Sequence, residues 1–115
     1  MMRSDKSRLQ HVLDATVEMG EYVRDMELKD FLADRKTQSA VMRQLEIIGE
    51  AIKHVSKGIR EKHPDVRWND FADLRDALIH EYFRLKLEEA WKIVTEDVPR
   101  LREQVEGILA EPETS

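Results

Sequence analysis

The stretch Arg75-Asp76-Ala77-Leu78-Ile79-His80-Glu81-Tyr82 brings a guanidinium, a carboxylate, an imidazole and a phenol together. Such a set suits chemistry at phosphorus. Arg75 offers a planar cation matched to phosphate oxygens. His80 offers a group that binds and releases a proton near neutral pH. Between them they can stabilise charge that builds on phosphorus and move a proton to or from a ribose oxygen, which is what RNA cleavage without a metal demands. Asp76 stands four residues before His80, within reach of the imidazole on one helix face. That carboxylate and the end of the helix both favour the imidazolium form. Asp76 is also placed to pair with Arg75 beside it.

These residues need a helix to hold them, and the surrounding apolar positions supply it. On a wheel that advances ~100° per residue, Phe71, Leu74 and Leu78 form one stripe, and Ile79 and Phe83 fall on the far side of Arg75. The helix, about Asp70 to His80, is therefore apolar on two faces, as expected of one buried between neighbours or against a second subunit. Charged and polar groups in that setting require partners. Asn69 or Asp70 is the expected cap.

The other elements follow from the same spacing rule. Leu9, Val12, Met19 and Val23, with Thr16 between, predict a first helix from about Ser4 or Asp5, either of which can cap it, to Arg24. A short turn over residues 28–33 should bury Phe31 and Leu32. Val41, Leu45, Ile48, Ile52 and Val55 predict a central helix from about Thr37 to Lys57. Gly49 in its middle is costly unless another backbone comes close. Gly58 reads as a stop, with a further turn over residues 59–62 that Pro64 ends. Leu87, Trp91, Val94, Val98, Leu101, Val105 and Ile108 carry a last helix from about Lys86 to Ala110, with a kink or break at Pro99 and Asp97 as a cap. No window alternates with period two. The expected architecture is all-α, an antiparallel bundle of four or five helices, in one domain over residues 1–110 with a frayed tail at 111–115.

Composition narrows the function classes. The chain has 115 residues, of which 37% are charged, and a formal net charge of −5. That balance argues against broad nucleic-acid binding and leaves room for a small, focused contact. There is no cysteine, which fits a reducing, cytoplasmic setting. No signal peptide, membrane span, Gly-rich phosphate loop or metal-ligand spacing is seen. No cofactor is expected. His11, His54 and His63 read as surface histidines, Trp68 and Trp91 as packing anchors, and Lys53, Lys57, Arg60 and Lys62 as a modest basic face. Glu50 reads equally as a group that orients Arg75 across helices or as an ordinary exposed helical glutamate.

The motif reads R-x4-H-x-Y and resembles the signature of the HEPN superfamily and, within it, of the HepT-like toxins. Ile48-Gly49-Glu50-Ala51 resembles that family's I-G-E-A segment, and Pro64, Trp68 and Val98-Pro99 match in order. The likeness covers nearly the whole chain. It implies a five-helix bundle that forms a homodimer, or a larger assembly, with two motif copies in one cleft. It further implies a metal-independent endoribonuclease toxin of a toxin–antitoxin pair, with Arg75 and His80 catalytic and RNA as substrate. Tyr82 would then accept AMP from a nucleotidyltransferase antitoxin. The sequence departs from the family at Asp76, where Asn is usual. That departure supports an alternative, a catalytically weak nucleotide- or partner-binding accessory subunit of a minimal nucleotidyltransferase. Under the plainest reading Arg75 makes only a structural ion pair with Asp76 or Glu50 and the chain is a helical interaction protein.

Overall fold

Leu9, Val12, Ala15, Thr16 and Met19 form the buried stripe of the first helix, α1, Arg3–Tyr22. A computed structural model describes residues 1–80 and 84–112, and among them every regular element is helical. Helix α2 (Leu28–Leu32) is a single short segment. It is followed by α3 (Arg35–Lys53), α4 (Lys57–Lys62) and α5 (Trp68–Leu78). The chain closes with α6 (Leu87–Lys92), a wider π-type turn over Ile93–Asp97, and α7 (Val98–Leu109). Helix α3 packs on α1 and on α5, and α1 packs on α7. One core results, in which Leu9, Met19, Leu45, Ile48, Ile52 and Leu101 are closed to solvent. The expected all-α bundle is what the apolar spacing builds.

Several ends of the elements depart from expectation, and at the start of α1 a distant partner takes the polar residue the sequence offers as a cap. Asp5 does not cap α1, whose N-cap is Met2 with no side-chain hydrogen bond. Instead Asp5 is 3% exposed. Its two carboxylate oxygens accept from the Ser56 backbone N–H at 2.8 Å and the Ser56 hydroxyl at 2.7 Å. Ser56 in turn caps α4. Helix α3 therefore ends at Lys53, earlier than Lys57, and Val55 is buried beyond the helix end. Gly58 lies inside α4, not at a stop. Asp34, and not Thr37, sets the start of α3, accepting from the Thr37 N–H at 3.0 Å and the Thr37 hydroxyl at 2.7 Å. Those bonds hold its carboxyl below the usual carboxylate range. Leu32 is 37% exposed, unlike Phe31, whose ring meets Trp91 with centroids 5.3 Å apart.

Helix α5 begins two residues early, at Trp68, with Arg67 at the N-cap position and no side-chain cap; Asn69 and Asp70 sit in its first turn. Trp68 is in the core and donates its indole N–H to the His63 carbonyl at 2.9 Å. No break occurs at Pro99. The helix runs on through Asp97, whose backbone is helical and whose side chain caps nothing. The missing proline N–H is accommodated by the widened turn just before it, where the Val98 N–H reaches back five residues to the Ile93 carbonyl. Glu111, beyond α7, ion-pairs with Lys62 at 3.3 Å, and its other carboxylate oxygen lies 3.1 Å from the His63 Nε2. His63 is 15% exposed at its side chain, so it is not a solvated surface histidine.

Candidate active site

Gly49 of α3 is where the site is assembled. A Cβ at this position would lie 2.1 Å from the Arg75 Cβ and 2.7 Å from the Phe71 carbonyl oxygen. Only glycine lets α5 approach this closely, which answers the cost of a glycine in mid-helix. The close crossing lays the Arg75 side chain along α3. Its guanidinium reaches Glu50 at 2.9 Å and its own neighbour Asp76 at 3.1 Å.

The pairing extends at both ends. Lys53, one turn beyond Glu50 on α3, donates to Asp76 at 2.9 Å. His54 lies 3.1 Å from the other oxygen of Glu50. The order His54, Glu50, Arg75, Asp76, Lys53 thus alternates basic and acidic groups across the α3–α5 seam. Asp76 is held below the usual carboxylate range, first by the Lys53 hydrogen bond and then by that of Arg75. Glu50 does contact Arg75 across helices, and the carboxylate whose spacing offered it to His80 is held by Lys53 and Arg75.

The Arg75 side chain remains 24% exposed despite its two carboxylates. It opens on a cleft of about 220 Å³ lined by Arg8 and His11 of α1, Arg43, Glu46 and Glu50 of α3, and Arg75 itself. Ile79 borders the same cleft and is 54% exposed. The sequence placed Ile79 and Phe83 on a second apolar face, buried by a neighbour or a second subunit; within one copy of the chain Ile79 is open to solvent, and Phe83 lies outside the described residues. His80 is exposed, just past the end of α5, and its backbone N–H closes the helix on the Ala77 carbonyl at 3.0 Å. Arg75 and His80 are therefore carried by one helix end and its following turn, both reachable from solvent. Tyr82 lies outside the described residues.

Sequence reasoning missed Arg8, Arg43 and Glu46 as members of this cleft and read His11 as bland surface. Arg43, Glu46 and Glu50 step by three and four along α3 beside its apolar stripe, which was a legible sign of a second, polar face. Nothing in the spacing ties Arg8 or His11 to Arg75, because they come from another helix. Among the described residues no three His, Cys, Asp or Glu side chains converge as metal ligands, and no helix is long and apolar enough to cross a membrane.

Comparison with known proteins gives a consistent result. The family model "Ribonuclease HepT-like" matches residues 12–108. A protein of Thermococcus cleftensis named "Probable ribonuclease HepT" is 42% identical over 108 residues, covering 94% of this chain and 98% of that one. A "Putative RNase" of Caldanaerobacter subterraneus is 39% identical over 108 residues, covering 94% and 96%. Another of that description, from Methanocaldococcus jannaschii, is 38% identical over 104 residues, covering 90% and 95%. No solved structure gives a significant match.

Proposed function

Because this chain belongs to the HepT-like ribonuclease family, we propose that Arg75 and His80 are the groups with which it cleaves RNA. The observation that carries the proposal is the half-open Arg75, fixed against Gly49 and facing a solvent cleft, with His80 exposed at the end of the same helix. In the reaction the ribose 2′-oxygen bonds to phosphorus as the bond from phosphorus to the 5′-oxygen breaks. The 2′-hydroxyl loses a proton and the departing 5′-oxygen gains one. An imidazole serves as the base for the first transfer or the acid for the second. The Arg75 guanidinium stabilises the charge that gathers on the non-bridging oxygens. All of this runs on side chains of the protein and needs no metal.

The exposed Ile79 beside the cleft supports the second half of the reading: two copies join over this face as a homodimer. Two His80 side chains in one groove would then divide the roles of acid and base. As a cytoplasmic toxin, such an enzyme requires restraint, and AMP placed on Tyr82 by a nucleotidyltransferase antitoxin would add bulk and negative charge two residues from His80. Purified chain should cleave RNA in EDTA, and Arg75→Ala or His80→Ala should not. Equal behaviour of wild type and both variants would end the proposal. Mass spectrometry of the chain co-expressed with its partner should find added AMP on Tyr82.

A second reading is favoured by one specific observation. Arg75 already holds two carboxylates, Glu50 and Asp76, so a substrate phosphate must compete for it. In that reading the chain is a weakly active accessory subunit that binds a nucleotide or its nucleotidyltransferase partner. Cleavage by the unmodified protein separates the two.

A further inference from the structure

The cleft next to Arg75 carries more positive charge than its carboxylates balance. Three arginines line it, Arg8, Arg43 and Arg75, against two glutamates, Glu46 and Glu50. Arg43 is 3.2 Å from Glu46 and Arg75 is 2.9 Å from Glu50. Arg8 of α1 has no carboxylate partner among the described residues. It is half-buried, so its charge is less screened than that of a surface arginine. His11 is three residues further along α1, on the same helix face, and lines the same cleft. The volume of about 220 Å³ is several times the ~30 Å³ share of a water molecule and admits a phosphate group.

We propose that Arg8, with His11 beside it, binds the RNA phosphate that flanks the scissile one, so that the site holds two consecutive phosphates at once. The inference rests on Arg75 being the group at the scissile phosphate. Arg75 takes that phosphate at the α5 side of the cleft, and Arg8 takes its neighbour from α1. Arg8 donates its fork of N–H groups to the non-bridging oxygens. The His11 imidazole adds one further donor. A net-acidic chain thus gains its hold on a polyanion through a local excess of charge, and its preference is for a substrate longer than a dinucleotide.

The test compares a dinucleotide, with one phosphate, and a trinucleotide that adds the flanking one. Wild type should cleave the trinucleotide with the higher kcat/KM. In Arg8→Ala that advantage should fall about tenfold, the scale of one charge-assisted contact, with Arg8→Lys recovering part of it. Arg102→Ala, which removes a cation paired with Glu106 on α7, should keep the wild-type advantage and so controls for overall charge. Binding of a deoxyoligonucleotide, which lacks the attacking hydroxyl, should show a salt dependence shallower by about one phosphate contact in Arg8→Ala. A wild-type advantage that survives in Arg8→Ala, or an unaltered salt dependence, overturns the inference while leaving Arg75 and His80 in place. Failure of wild type to cleave either substrate overturns the reading beneath it and this inference together.

Discussion

Asp5 and Arg75 are both charged side chains carried into the helical bundle, and the structure treats them in opposite ways. Asp5 is 3% exposed and spends both oxygens on Ser56. It pins the start of α1 to the junction of α3 and α4. Arg75 has two acidic partners as well, yet its side chain stays 24% exposed and borders an open cleft. A buried charge whose hydrogen bonds are all internal holds a structure together. A charge with partners on one side and solvent on the other is poised to meet a ligand. The comparison separates a brace from a site using only burial and the direction of the partners.

The largest effect should come from breaking the open member. Arg75→Ala and His80→Ala should each lower RNA cleavage by ~10²-fold or more, read with labelled RNA in EDTA, with the circular dichroism spectrum of the wild type. Gly49→Ala should lower both properties at once. Its new methyl must push against Arg75 and the Phe71 carbonyl, shifting α5, and a displaced guanidinium should slow cleavage by roughly tenfold or more. A normal rate and melting temperature in Gly49→Ala would show that the seam relaxes without cost.

Breaking the closed member should move stability and not chemistry. Asp5→Ala leaves the Ser56 N–H and hydroxyl without their acceptor, at a cost of about 1–3 kcal/mol. The melting temperature should fall by roughly 5–10 °C, with the cleavage rate per folded molecule kept. Glu50→Gln sharpens the contrast further. Its ion pair with Arg75 is half-exposed, so stability should change by less than about 1 kcal/mol. Removing a carboxylate that competes with phosphate should lower KM for RNA by roughly two- to threefold; a raised KM would assign Glu50 to positioning instead.

The smallest effect concerns pH. The lowered carboxyl of Asp76 means that its pairs with Lys53 and Arg75 are complete above the unfolded carboxylate pKa of ~3.9. They are lost only as pH falls through the depressed folded value. From about pH 5 upward Asp76 is therefore constant, and Asp76→Asn should keep the shape of the pH–rate profile there. A change of shape between pH ~5 and 8 would couple Asp76 to a titrating group.

The same contrast explains what could be read from the sequence. The stripes of α1, α3 and α7 were legible because apolar spacing is a local signal, and so was the demand that something approach Gly49. Arg75, Asp76 and His80 were legible as a set because they share one helix end. Three features were not. Asp5 looked like a helix cap, and its real partner, Ser56, is 51 residues away. Asp76 had two candidate partners within its own helix, and Lys53 on a neighbouring one joined Arg75 to hold it. Arg8 and His11 reach the cleft only because α1 packs on α3. Spacing along one helix carries no trace of which groups meet across a seam.

The contact between Gly49 and Arg75 also constrains how this protein can change over generations. A side chain larger than hydrogen at residue 49 becomes tolerable only once α5 has drawn back, and by then the arginine has lost its seat. Losing Arg75 does not free residue 49 in return, because any side chain at 75 keeps its Cβ and the Phe71 carbonyl oxygen stays 2.7 Å from where a new methyl would sit. The dependence therefore runs one way: the packing of α5 holds residue 49 as glycine whether or not the arginine is kept. A descendant that has lost the arginine should thus still carry the glycine, as the mark of the helix crossing.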